Sequence, residues 1–147
     1  MINIINGEVL LENIQYTLSF NTQIDLFSKT FSQELIRNID DMKTGYRGYY
    51  IWGSIVDKEE VILLALCFNP SNHLGTITIY PFITPVTNFD DRDIDWSKDK
   101  LLCDKSFSDD WLKRYFNLET ENPYKWGNIS SVIDERSWSS SIVIRYL

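Results

Sequence analysis

Three segments decide the fold. They are Gly48-Tyr49-Tyr50-Ile51-Trp52-Gly53-Ser54-Ile55-Val56, Val61-Ile62-Leu63-Leu64-Ala65-Leu66-Cys67-Phe68 and Leu74-Gly75-Thr76-Ile77-Thr78-Ile79-Tyr80-Pro81-Phe82-Ile83. The first is aromatic and β-branched, the composition of a strand. The second is apolar at every position, as expected of a strand in mid-sheet that is covered on both faces. In the third, Thr76 and Thr78 alternate with Ile77 and Ile79, so one face is apolar and the other polar. Between them lie a charged turn, Asp57-Lys58-Glu59-Glu60, and a Pro turn, Asn69-Pro70-Ser71-Asn72. Short connections of this kind join antiparallel neighbours, so the three segments predict a meander.

Upstream, Ile2, Ile4, Val9 and Leu11 flank Asn6-Gly7, a strong hairpin signal, and predict a two-stranded opening over residues 2–12. Thr22-Gln23-Ile24-Asp25 fits a capping box with Asp in place of Glu. Ile24, Phe27, Phe31 and Leu35 follow at helical spacing, which predicts the longer helix, ending before Lys43-Thr44-Gly45. Downstream, residues 88–100 are acidic and poor in apolar side chains. Ser108 then caps a predicted short helix whose apolar face is Trp111, Leu112, Tyr115 and Phe116. Residues 121–131 read as loop. Ile142, Ile144 and Tyr146 alternate with Val143 and Arg145 in a final strand. The expected fold is α+β: one domain over residues 1–147, a mainly antiparallel sheet of about five to six strands, and one longer and one short helix packed against it.

Composition narrows the function. The 147 residues carry 21 Asp and Glu against 14 Lys and Arg, a net charge of −7, with 14% aromatic residues. A chain this acidic lacks the basic face that phosphate binding needs, so no nucleic-acid partner is expected. The opening residues lack the basic and apolar regions of a signal peptide, and the longest apolar run, residues 61–68, is far too short to span a membrane. Cys67 and Cys103 make no disulfide framework. Together these features predict a reduced, cytoplasmic protein with no membrane association.

Catalytic signatures are sparse. The single histidine, His73, stands in a polar turn without a partner carboxylate or nucleophile at a recognisable spacing, and is read as a solvent-exposed turn residue. Two cysteines and one histidine match no zinc pattern. Asp91-Arg92-Asp93-Ile94-Asp95 begins like a calcium loop but has Trp96 at the sixth position and Leu102 at the twelfth, where Gly and Glu are required. No Gly-rich phosphate loop and no Gly-x-Ser-x-Gly is present. No cofactor and no metal are expected.

The remaining chemical feature is the acidic stretch. Asp90, Asp91, Asp93 and Asp95 stand within six residues, followed by Trp96 and then by Asp109, Asp110 and Trp111. One reading is a solvated face beside a few core aromatics. The other is a binding surface, in which carboxylates steer a basic partner and aromatic residues anchor it.

The order of segments resembles small bacterial immunity proteins of polymorphic or contact-dependent growth-inhibition toxin systems. The resemblance runs through Ile4-Ile5-Asn6-Gly7-Glu8, the helix around residues 24–31, Tyr49-Tyr50-Ile51-Trp52, Leu74-Gly75-Thr76-Ile77-Thr78-Ile79 and Ile142-Val143-Ile144-Arg145-Tyr146. It implies a non-enzymatic protein that binds and neutralises a cognate toxin domain. Many such toxins are nucleases with cationic clefts. The toxin-binding residues would then be Asp90, Asp91, Asp93, Asp95, Trp96, Asp109, Asp110 and Trp111, on a monomer or weak dimer. Two other readings stay open: a small carboxylate-dependent hydrolase, and a structural or adaptor homodimer pairing through a sheet edge at Ile2–Ile5 or Ile142–Tyr146.

Overall fold

The structure is a computed structural model that describes residues 1–31, 43–85 and 97–147, and the backbone of 36–41. It has nine strands and two helices among these residues: β1 (Val9–Leu11), β2 (Tyr16–Leu18), α1 (Ile24–Thr30), β3 (Ile36–Asp41), β4 (Arg47–Gly53), β5 (Ile62–Phe68), β6 (Leu74–Tyr80), α2 (Lys98–Phe116), β7 (Glu121–Tyr124), β8 (Gly127–Asp134) and β9 (Ser139–Tyr146). The expected α+β class holds. A small β1–β2 ribbon accompanies an antiparallel sheet of seven strands in the order β3-β4-β5-β6-β9-β8-β7.

The β4–β5–β6 meander forms as its sequence dictates, with Ile51 opposite Leu64 and Leu64 opposite Ile79. Period-two alternation then puts Tyr49, Ile51, Leu64, Leu66, Phe68, Ile77 and Ile79 on one face, all buried. β9 extends that face, with Ile142 opposite Ile79 and Ile144 opposite Ile77, and β8 adds Ile129 opposite Ile144. The ribbon and α1 cover the β4–β6 half of the face with Val9, Leu11, Leu18, Ile24, Phe27 and Phe31. Phe27 is the hub there: its ring centroid lies 5.3 Å from Tyr49, 5.4 Å from Phe68 and 4.3 Å from Phe31. α2 lies against β8 and β9. On the other face of β5, Leu63 is buried but Ala65 and Cys67 are half-buried, so the expected double cover is incomplete.

Several local expectations are corrected. The Asn6-Gly7 turn exists, with Gly7 at φ +76° and its N–H donating to Asn3 O over 2.8 Å, but it closes only an Ile2–Val9 bridge. The ribbon proper is the next hairpin, β1–β2. Helix α1 spans seven residues, and β3 pairs with β4 within the range expected to be helical. Thr22 does not cap α1; its Oγ1 accepts instead from Ser19 N, and the N-cap is Gln23. The longer helix is α2. Its N-cap is Ser97, whose Oγ accepts from Lys100 N over 3.1 Å. Ser108, expected as the cap, sits fully buried in mid-helix and donates to Asp104 O. The helix ends at Asn117, in the left-handed conformation that suits a C-terminal cap.

Residues 121–131, read as loop, contain β7 and the start of β8. Asn122 fastens this hairpin by donating to Glu119 O (2.7 Å) and Ile129 O (3.2 Å) and accepting from Glu119 N. The two segments proposed as free sheet edges are not edges of the large sheet: β9 lies between β6 and β8, and the Ile2 segment pairs with Val9.

Tyr146 ties the two ends of the chain together. Its hydroxyl donates to Gly7 O over 2.8 Å in a buried setting. Burial, and secondarily the Glu8 charge, push its ionisation well above the ordinary tyrosine range. In the unfolded chain it would ionise near its ordinary value of 10.0. Above that pH the unfolded chain sheds a proton that the folded chain keeps, so stability falls as pH rises. One proton corresponds to about 1.4 kcal/mol per pH unit. Tyr146→Phe is expected to cost about 1 kcal/mol at neutral pH through the lost hydrogen bond and to flatten the alkaline decline. Urea titrations from pH 7 to 11 check this; an unchanged alkaline slope would contradict it.

Candidate protein-binding surface

Helix α2 carries three of the residues singled out in the acidic stretch. Successive helical residues turn by about 100°, so Asp109, Asp110 and Trp111 cannot face the same way. Trp111 points inward. It is 3% exposed, and its ring lies 5.6 Å from Tyr115 and 5.3 Å from Phe116. The expected surface anchor is therefore a core residue. Asp110 is exposed, whereas Asp109 is half-buried and paired with Lys105 Nζ at 2.5 Å. Asp90, Asp91, Asp93, Asp95 and Trp96 lie outside the described residues, as does the expected helical residue Leu35.

The helix is not acidic by composition: Lys98, Lys100, Lys105, Lys113 and Arg114 balance Asp99, Asp104, Asp109 and Asp110. Lys100 pairs with Asp104, and Lys113 reaches Glu119 at 2.5 Å. The ammonium of Lys100 also lies 5.4 Å from the centre of the Phe82 ring. Exposed pairs such as these, the i,i+4 pairs Lys100–Asp104 and Lys105–Asp109 among them, contribute only about a few tenths of a kcal/mol each, but they cancel charge locally. Exposed side chains on α2 include the apolar Leu102 and Phe107 as well as Asp110.

A denser set of carboxylates appears elsewhere. The β4–β5 turn brings Asp57, Glu59 and Glu60 to the wall of a cleft of about 600 Å³, completed by Val61, Thr84 and Pro85. The turn is held by Glu59 N donating to Asp57 Oδ1 and by Ser54 Oγ donating to Lys58 O, both 3.1 Å. Asp57 and Glu59 are exposed. The sequence showed these residues as a charged turn; only folding sets them beside Thr84 and Pro85.

At another part of the surface, rings form a row. Tyr124 stacks on Trp126 at 5.1 Å and 5°, and Trp126 lies 5.8 Å from Tyr146. Tyr146 lies 6.5 Å from Phe20, which stacks on His73 at 5.1 Å. Gly7 makes the row possible, because a Cβ there would come within 2.5 Å of the Trp126 ring. Trp126 Nε1 donates to Ile4 O over 3.0 Å. The neighbouring Ile5 is 86% exposed. Tyr124 and Trp126, two of the aromatic residues interleaved with the acidic part of the sequence, lie in the segment that reads as loop; the Tyr124-Lys125-Trp126-Gly127 turn is the local signal of a hairpin there. His73 is half-buried rather than solvent-exposed, with Nδ1 buried and unbonded among the described residues.

Among the described residues no three His, Cys, Asp or Glu side chains converge as a metal would need. Both cysteines are free. Cys103 is exposed, and burial pushes the Cys67 thiol up, away from the reactive thiolate. No described helix is long and apolar enough to cross a membrane.

No family model and no curated protein matches the chain. Among solved structures, the chain is similar to one described as "Rhs1-CT in complex with cognate immunity protein RhsI1". The likeness covers 99% of this chain and 85% of that one, with a TM-score of 0.64 and 15% identity. At that identity the two share a fold, and the fold is one found in a toxin–immunity complex.

Proposed function

We propose that this protein is an immunity protein that binds a cognate toxin domain in the cytoplasm and neutralises it without catalysis. The observation that carries the proposal is the shared fold with a chain of a toxin–immunity complex over 99% of its length. The net charge of −7 supports a basic toxin as partner, a nuclease domain among them, because like charge is repelled and opposite charge is steered in. The acidic stretch Asp90, Asp91, Asp93, Asp95 and Trp96, with Asp109 and Asp110 on α2, forms the proposed contact surface. Trp111 supports this surface from beneath rather than touching the partner.

The test is co-expression with the toxin domain, reading growth, followed by recovery of a one-to-one complex. Rescue with complex formation supports the proposal; a folded protein that neither rescues nor binds overturns it. Asp109→Lys with Asp110→Lys is expected to slow association about tenfold at low salt, with the effect shrinking as ionic strength rises. Stopped-flow association in 20 and 300 mM salt, with screening lengths of about 20 and about 6 Å, checks it. An affinity unchanged by the reversal would move the interface off α2.

A further inference from the structure

Three buried polar atoms in the α2–β8–β9 region have no hydrogen-bond partner among the described residues: Trp111 Nε1, Ser131 Oγ and Ser140 Oγ. Their residues are 3%, 7% and 0% exposed. Buried polar atoms are almost always bonded, because an unpaired one loses its water without replacement.

The two serines share one pair of strands, and the helix that carries Trp111 packs against that pair. Ser131 stands opposite Ile142 and Ser140 opposite Ile133, so the two serines are diagonal neighbours across β8 and β9 on the same face. It is the core face, shared with Ile129, Ile142 and Ile144. α2 lies against these two strands. The chain just beyond α2 is also fixed beside Ser131, whose N–H donates to Thr120 O over 2.8 Å.

Ser108, equally buried, shows the contrast. It lies in a helix, where its hydroxyl can reach back to the carbonyl four residues earlier, and it donates to Asp104 O. A strand offers Ser131 and Ser140 no such carbonyl, since ladder bonds use the backbone and the side chains stand away from it. The indole N–H can only donate, while each hydroxyl can donate and accept. A small group that accepts from the indole and bonds the hydroxyls would satisfy all three atoms.

We propose that one water molecule binds between α2 and the β8–β9 pair, accepting from Trp111 Nε1 and exchanging hydrogen bonds with Ser131 Oγ and Ser140 Oγ. A buried water makes about three such bonds. It fastens the helix to the sheet at the turn that carries Asp109 and Asp110, and it stands whether or not those carboxylates meet a toxin.

Two measurements test the site on the full chain. In a crystal structure that resolves solvent, the expected result is a water within about 3 Å of Trp111 Nε1 and of at least one of the two hydroxyls. In a water-selective NOE spectrum, the Trp111 indole proton, assigned through Trp111→Phe, is expected to show contact with a long-lived water. That contact should be lost in Ser131→Ala/Ser140→Ala. An indole nitrogen bonded directly to a protein oxygen overturns the proposal. So does a water contact that persists unchanged in the double variant. Should the double variant fail to fold, the crystal structure of the unaltered chain decides.

Discussion

Trp111→Ala is expected to destabilise the protein by about 3–5 kcal/mol, the range for emptying a large buried aromatic site. The indole is 3% exposed and joins Leu112 and Leu118 in the one core cluster that also holds Ile129, Ile142 and Ile144. Few neighbours can collapse into the space, since the rings of Tyr115 and Phe116 belong to the same helix and the sheet beneath is fixed by its ladder. Urea titration should show a lower midpoint with an unchanged slope. Trp111→Phe should recover part of the loss. The distinction bears on function, because a tryptophan in the acidic stretch could equally have anchored a partner. Full stability of Trp111→Ala, with toxin binding lost, would return Trp111 to the surface and contradict its placement.

Gly127→Ala is expected to cost 3 kcal/mol or more, roughly the sum of an unfavourable backbone region and a steric overlap. Gly127 has φ +155°, and a Cβ there would lie 1.9 Å from Arg145 O and 3.0 Å from Arg145 C. The obstacle is backbone, so no side-chain rotation relieves it. Arg145 and Tyr146 sit opposite Asn128 and Gly127 in the β8–β9 ladder, so relief would mean opening that ladder at its end. There Tyr146 also holds Gly7. Gly75→Ala is the control: its Cβ would meet nothing nearer than 3.6 Å. Thermal melts of the two variants should differ by many degrees; equal melting temperatures would refute the close approach.

The candidate surface was only partly legible in the chain. Clustered carboxylates announce themselves in a sequence, but whether a charge acts outward depends on its neighbours in space. Lys105 occupies Asp109, and Lys100 occupies Asp104. The row from Tyr124 to His73 draws on four separate segments, so no local pattern could have shown it.

Local pattern was enough for the elements whose burial repeats at short range. The alternation in β6 and β9 and the apolar run of β5 determined strands, and the spacing of Ile24 and Phe27 determined the start of a helix with its apolar face inward. Composition determined a net negative chain. Tertiary structure decided the rest. β9 entered the sheet beside β6 because its isoleucines extend the same apolar face, a match between residues some 65 positions apart. β3 became a strand because β4 offered it an unpaired edge, which outweighs a helical pattern that ends in a charged, weakly amphipathic stretch. Trp111 turned inward because β8 and β9 presented an apolar surface for α2 to cover. Periodicity says which side of an element seeks burial; only the assembled sheet says what lies there to bury it.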